Sequence, residues 1–106
     1  MIFTERVCIE RQIDGGWTVT AYDVTAAFCP MNFTERIALE PWSHRPLMRF
    51  WIDVNSQAMD GDRLIRDDGS AWKIRGVPIH PPEAEHLEGI AEGDADDGLF
   101  LSAAVV

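Results

Sequence analysis

Apolar and polar residues alternate along much of the first half of the chain, the two-residue period of half-buried strands. Over residues 4–13, Val7, Ile9 and Arg11 share one face and Arg6, Cys8 and Glu10 the other. Asp14-Gly15-Gly16 follows, residues that tolerate positive φ, so a tight reversal and a returning strand are expected. That second strand covers 17–24, with Trp17, Val19 and Ala21 alternating against Thr18, Thr20 and Tyr22. A shorter apolar segment, 26–31, predicts a third strand. The clearest strand is 47–54, where Met48, Phe50, Ile52 and Val54 form one face and Arg49, Trp51 and Asp53 the other.

A second hairpin is expected after it. Asp60-Gly61-Asp62 is a turn, 63–66 a short strand, and Asp67-Asp68-Gly69-Ser70 another turn. Residues 71–77 complete the hairpin with Trp72, Ile74 and Gly76 inward. Segment 98–106 is almost wholly apolar after Gly98 and reads as a closing strand, buried on both faces or covered by a partner. The pattern breaks over 32–46. There 33–39 is a helical turn or an irregular strand, and Pro41 and Pro46 bracket a loop, Trp42-Ser43-His44-Arg45. Only 83–92 has helical spacing, with Ala84, Leu87, Ile90 and Ala91 near one face. It is expected as two helical turns or an irregular excursion within a long acidic loop, 78–97. The sum is a single all-β domain over 1–106. Six to seven short antiparallel strands form a small β-barrel with long loops and at most one short helix.

Composition narrows the function. The chain has 106 residues, 46% of them hydrophobic and 25% charged, an ordinary globular balance. The net charge of -9 argues against a nucleic-acid reader, which needs a basic patch for phosphates. The charge is unevenly placed. Seven of the 18 acids (Glu83, Glu85, Glu88, Glu92, Asp94, Asp96 and Asp97) lie in one stretch without Lys or Arg, leaving 11 acids against 9 bases elsewhere. No apolar run is long enough for a helical membrane span. Residues 1–6 lack a basic region followed by an apolar run, so no secretory signal is expected. Cys8 and Cys29 are expected as buried free thiols, with a cross-strand disulfide the weaker alternative.

Candidate chemistry is sparse. His80-Pro81-Pro82-Glu83-Ala84-Glu85-His86 holds ligand types that zinc accepts, but its spacing matches no recurrent site and its prolines prevent a shared helical face, so it reads as a solvated loop. Ser43-His44 are adjacent, a poor geometry for a nucleophile and its base. No phosphate-cradling glycine loop or nucleophile elbow occurs. The Asp60/Asp62 and Asp67/Asp68 pairs sit in turns, where Asp accepts from nearby amides. Asp94-Ala95-Asp96-Asp97-Gly98 resembles a calcium loop without its downstream Glu. No catalytic residue, metal or cofactor is therefore expected. The aromatics say more: Trp17 and Trp72 suit the core, whereas Trp51 faces away from Phe50, and Trp42 lies in a loop beside Arg45. Exposed Trp beside Arg is interface composition, a lid over the barrel end being the alternative.

The run Asp60-Gly61-Asp62-Arg63-Leu64-Ile65, then Asp68-Gly69, then Trp72-Lys73-Ile74-Arg75-Gly76-Val77-Pro78 resembles the C-terminal half of tailed-phage head-closure, or head–tail joining (stopper), proteins. The apolar strand 47–54 precedes it as in that family. Upstream, residues 6–12, Gly15-Gly16 and 26–35 follow the family's order of charged strand, Gly-marked reversal and Ala-rich strand with a Glu-containing segment. Relative to the family, 78–97 is a long acidic insertion. The resemblance implies a structural virion protein made in the bacterial cytoplasm and placed at the phage neck. It would form a homo-oligomeric ring of about six or twelve copies between portal/adaptor and tail. DNA would pass through without sequence-specific binding, and no membrane would be involved. The interface or channel-loop candidates are Arg36, Trp42, His44, Arg45, Trp51, Glu83, Glu85, Glu88, Glu92, Asp94, Asp96 and Asp97. The rival expectation is a small acidic β-barrel adaptor, of immunity or DNA-mimic type, binding a basic partner, or another neck or tail-completion protein.

Overall fold

The computed structural model of the protein describes residues 4–31 and 46–93. Its six strands are β1 (Glu5–Ile13), β2 (Gly16–Pro30), β3 (Leu47–Asp53), β4 (Arg63–Ile65), β5 (Ala71–Ile79) and β6 (His86–Gly93). They close into an antiparallel barrel in the order β1-β2-β3-β6-β5-β4. A single 3-10 turn, Val54–Ser56, is the one helical element among the described residues. The expected all-β barrel is thus the fold. The expectations for 33–39, for the loop holding Trp42, His44 and Arg45, for Arg36, for Asp94, Asp96 and Asp97, and for the strand 98–106 lie outside the described residues.

The first hairpin turns where its chemistry demands. Asp14 and Gly15 both take positive φ, 52° and 81°, and Ile13 pairs with Gly16 across them. The returning strand differs from the expectation in length and shape. Residues 17–24 and 26–31 do not form two strands; β2 runs unbroken over 15 residues. It bends instead. Ile9 pairs with Ala21 and Glu10 with Val19, so Thr20 is an extra residue, and a second irregularity separates the Val7–Val24 and Ile9–Ala21 pairs. Asp23, at φ 54°, lies in that second bulge. Each extra residue shifts the alternation. Ala21, Val24, Ala26 and Phe28 therefore face the core, while Trp17 and Val19 share the outer face of Glu10. Trp17 is not a core residue: the Arg63 guanidinium stacks over its ring at 4.2 Å.

The interior is built from Val7, Ile9, Ala26, Phe50, Ile52, Leu64, Trp72, Ile74 and Ala91. Trp72 is the expected core tryptophan, and its indole donates to Ser70 Oγ at 2.9 Å, which donates to Asp68 at 2.6 Å. Cys8 is half-buried and Cys29 exposed; both are free thiols, so neither full burial nor the disulfide holds.

The largest correction concerns 83–92. It is neither helix nor excursion: from His86 it is β6, paired with β3 from Asp53 to Leu47 and with β5. The long acidic loop 78–97 therefore contains a full strand of the barrel wall, and the described connection between β5 and β6 is 80–85 alone. The inward positions are Leu87, Gly89 and Ala91. Gly89 lies opposite Phe50, where an added Cβ would stand 2.7 Å from the ring's Cζ. Only glycine leaves that ring its place. Gly76 is corrected too. It is exposed at φ 86°, in a bulge where Arg75 pairs with Ile90 but Ile79 with Glu88, so β5 carries two extra residues.

Candidate interaction surface

On the outer wall, β3 presents Arg49, Trp51 and Asp53, and β6 presents His86, Glu88 and Ile90 in direct register with them. The opposition of Trp51 and Glu88 has a consequence. The indole donates to Glu88 Oε1 at 2.9 Å, and His86 Nε2 lies 3.0 Å from the same oxygen. These contacts from His86 and Trp51 hold the Glu88 carboxyl below its ordinary pKa. Trp51 is thereby held to the wall through its indole N–H. It borders two clefts, one of about 350 Å³ also lined by Arg49, Arg75, Val77, Ile79 and Ile90. The other, of about 490 Å³, runs past Thr25, Ala27, Asp53, Glu85 and His86.

The β5 bulge supplies the apolar side of the first cleft. Val77 is 81% exposed and Ile79 68%, the former more open than any other large aliphatic side chain among the described residues. Pro78 between them removes an N–H from the ladder, and the Gly76 N–H is taken by Asp60 Oδ1 at 2.9 Å. The bulge is anchored at its base and offers its hydrophobic side chains to solvent. Exposed apolar residues rimmed by Arg and Glu are the composition of a protein contact surface.

Sequence reasoning located Trp51 on this face but missed Val77, Ile79 and Ile90. The missed signal was Gly76-Val77-Pro78, a glycine and a proline inside a strand, which marks a bulge. The acidic candidates separate. Glu83 sits at φ 61° in the connecting turn and Glu85 is exposed, its carbonyl accepting from Val54 N–H at 3.1 Å. Glu88 is engaged as described, and Glu92 is buried with Arg75 Nε at 3.2 Å. Two of the seven acids thus serve the wall. His80 Nε2 bonds the Ala84 carbonyl at 2.7 Å, closing its turn, while His86 sits on Glu88. Among the described residues no three His, Cys, Asp or Glu side chains gather as a metal site.

The opposite side of the barrel is charged and internally paired. Asp62, expected as a turn residue, is 1% exposed. It accepts the Met59 N–H at 3.0 Å and both Arg11 nitrogens at 3.0 Å. Glu10 pairs with Arg63 at 2.8 Å and Glu5 with Arg66 at 2.7 Å. Arg11 rises above its ordinary pKa through its hydrogen bond with Asp62. Burial pushes the Glu5 carboxyl up, but hydrogen bonds from Arg66 and the Asp67 backbone outweigh it and hold Glu5 low. These charges bind one another, so this side is a seam of the fold.

No family model matches the chain, and no curated protein does. Among solved structures it is similar to the solution structure of protein SF1141 from Shigella flexneri 2a. The TM-score is 0.64 at 19% identity, covering 87% of this chain and 93% of that one. The likeness is one of fold.

Proposed function

We propose that the chain is a head–tail joining subunit of a tailed-phage neck, a head-closure protein that works by contact and not by catalysis. The observation that carries this reading is the outer wall of β3, β6 and β5, where Val77 and Ile79 stand open beside a fixed Trp51. A barrel of this size has no internal need for such residues outside, whereas an assembled ring does. The resemblance supplies the identity of the assembly. Its motif, from Asp60 to Pro78, covers β4, β5 and the anchored bulge, the element that bears the exposed pair.

In this reading the ring joins portal/adaptor to tail, with neighbouring copies meeting through the Val77–Ile79 wall. Glu83 and Glu85 lie in the turn beside that wall. Their acidic charge on that rim repels passing DNA and keeps the channel clear. The acidic-adaptor alternative loses ground, because Glu88 and Glu92 are spent on Trp51, His86 and Arg75.

The test is assembly. The purified full chain is mixed with a portal–adaptor complex and imaged by negative stain, alongside light scattering of the chain alone. Added density at the adaptor end, lost in Val77→Asp/Ile79→Asp, is expected. A chain that stays monomeric and never docks overturns the reading.

A further inference from the structure

The barrel is complete without residues 98–106, since each of its six strands already has two neighbours. Yet one strand is longer than its partners require. On one side β2 pairs with β1 over Gly16 to Ala26; on the other it pairs with β3 only over Ala26 to Pro30. Among the described residues, 16–25 therefore carry an unused ladder edge about 33 Å long. The two-residue turn at Asp14-Gly15 fixes which groups face it. Gly16 and Thr18 exchange hydrogen bonds with β1, so the N–H and C=O of Trp17 and Val19 point outward.

Edges that must stay single are guarded by Lys, Pro, inward charge or bulges. This one, Gly-Trp-Thr-Val-Thr-Ala-Tyr-Asp-Val-Thr, has no Lys, Arg or Pro. Its two bulges, at Thr20 and at its single charge Asp23, lie beyond the regular stretch 16–19, which offers the outward groups of Trp17 and Val19. It is rich in β-branched and aromatic residues, with Tyr22 73% exposed. The chain also contains a segment of matching length and character. Residues 98–106, Gly-Leu-Phe-Leu-Ser-Ala-Ala-Val-Val, hold one polar side chain and no charge.

From these observations we infer that the β2 edge, Gly16 to Thr25, accepts segment 98–106 of a second copy of this chain as an added strand. Reach favours a second copy over the same chain. Gly93 is level with Pro46, whose carbonyl accepts its N–H at 2.9 Å, and Thr25 is level with Asp53. Those levels lie seven residues apart on β3, about 23 Å. The five steps from Gly93 to residue 98 span at most about 18 Å. Residue 98 thus falls short of even the near end of its own edge, and 98–106 cannot lie along all of it. A neighbouring copy has no such limit. Donor segment and acceptor edge are different surfaces, so the contact is heterologous, the kind that propagates into rings. The inference deepens the self-assembly in the proposed function, and holds whatever the assembly attaches to.

Full-length variants test it. Val19→Pro blocks the acceptor while sparing the β1 ladder, because the lost N–H is the outward one. Leu99→Asp/Leu101→Asp spoils the donor. In sedimentation experiments, wild type is expected to self-associate, and each variant to do so at least about tenfold more weakly. Mixed, the two variants are expected to form a one-to-one complex, since each retains what the other lacks. Amide exchange at Trp17 and Val19 in the unmodified chain is expected to slow as concentration rises, a reading that needs no variant to fold. A wild-type chain that is monomeric with those amides already protected places the segment on its own edge and overturns the inference. So does association that V19P abolishes but L99D/L101D leaves intact, which would mean β2 pairing with β2. Failure to dock on a portal–adaptor complex, with complementation intact, would count against the neck role alone.

Discussion

Strand β6 meets β3 in unbroken register from His86 to Glu92, while β1 meets β4 over three residue pairs, Cys8 to Glu10. The side chains differ accordingly. Across β3–β6 the close approach of Phe50 to Gly89 and the buried aliphatics beside them hold the wall, and backbone hydrogen bonds do the rest. Across β1–β4 the ladder is short: Glu10–Arg63 reinforces its last pair, and Arg11–Asp62 and Glu5–Arg66 bridge what lies beyond it. A wall with a long ladder does not need its outer side chains for closure. One with a short ladder spends them on closure. That division accounts for the open pair Val77 and Ile79 in the β5 bulge, at the edge of the long-ladder wall.

The comparison can be broken first at its packed side. Phe50→Ala is expected to cost about 3–5 kcal/mol, measured by urea unfolding, because a fully buried ring leaves a cavity that the Gly89 backbone cannot fill. Next comes the charged seam. Asp62→Ala is expected to cost about 2–3 kcal/mol, since it orphans the Met59 N–H and one end of Arg11, which keeps a third of its side chain in solvent. Salt separates the two. Raising ionic strength to about 1 M should shrink the cost of D62A and leave that of F50A unchanged. Equal salt sensitivity would erase the distinction.

A finer test addresses the single contact at Gly89. Gly89→Ala is expected to destabilise by about 1–3 kcal/mol through overpacking, and by less in a Phe50→Leu background, where the ring is gone. Additive costs would mean the two do not press on each other.

Acid should then probe the lowered carboxylates, Glu5 in the seam and Asp68 in the turn before Trp72, with Glu88 on the outer wall lowered beside them. Glu5 and Asp68 sit below their ordinary values of 4.5 and 3.8, Glu5 through Arg66 and Asp68 through Ser70. Their contribution is complete above those values and is lost as pH falls through the lower folded ones. Asp67, raised by its hydrogen bond with Glu5, works in the opposite sense and offsets part of the loss. Melting temperature is expected to fall below about pH 4.5, with a shallower fall in Glu5→Gln. The smallest effect belongs to the outer wall. Glu88→Ala should leave the unfolding midpoint essentially unchanged, while removing the acceptor of the Trp51 indole shifts its fluorescence.

Local chemistry made part of this molecule legible. Asp14-Gly15, Asp60-Gly61 and Asp68-Gly69 announce turns because few residues tolerate positive φ, and the alternation over 47–54 announces β3. The same reasoning failed at 86–93, whose inward positions are Leu, Gly and Ala. Small residues there answer Phe50 on the neighbouring strand, so their sizes make sense only across the pair. Lacking that neighbour, Ala84, Leu87, Ile90 and Ala91 read as a helical stripe. Trp17 was misplaced for a related reason: one extra residue at Thr20 exchanges the faces of β2, and bulges come from pairing, not composition. The site divides likewise. Trp51 was visible as an outward aromatic, but its hold on Glu88 came only with the register, as did the exposure of Val77 and Ile79.

The sequence by itself therefore determined the class of fold, the turns and the inward faces of β1 and β3, because each depends on a residue's own backbone preference or a two-residue period. Tertiary structure decided which acids lie in the wall, where β2 changes face, and which edge stays open. Those depend on residues far apart in the chain meeting in one register, and no local pattern encodes a partner.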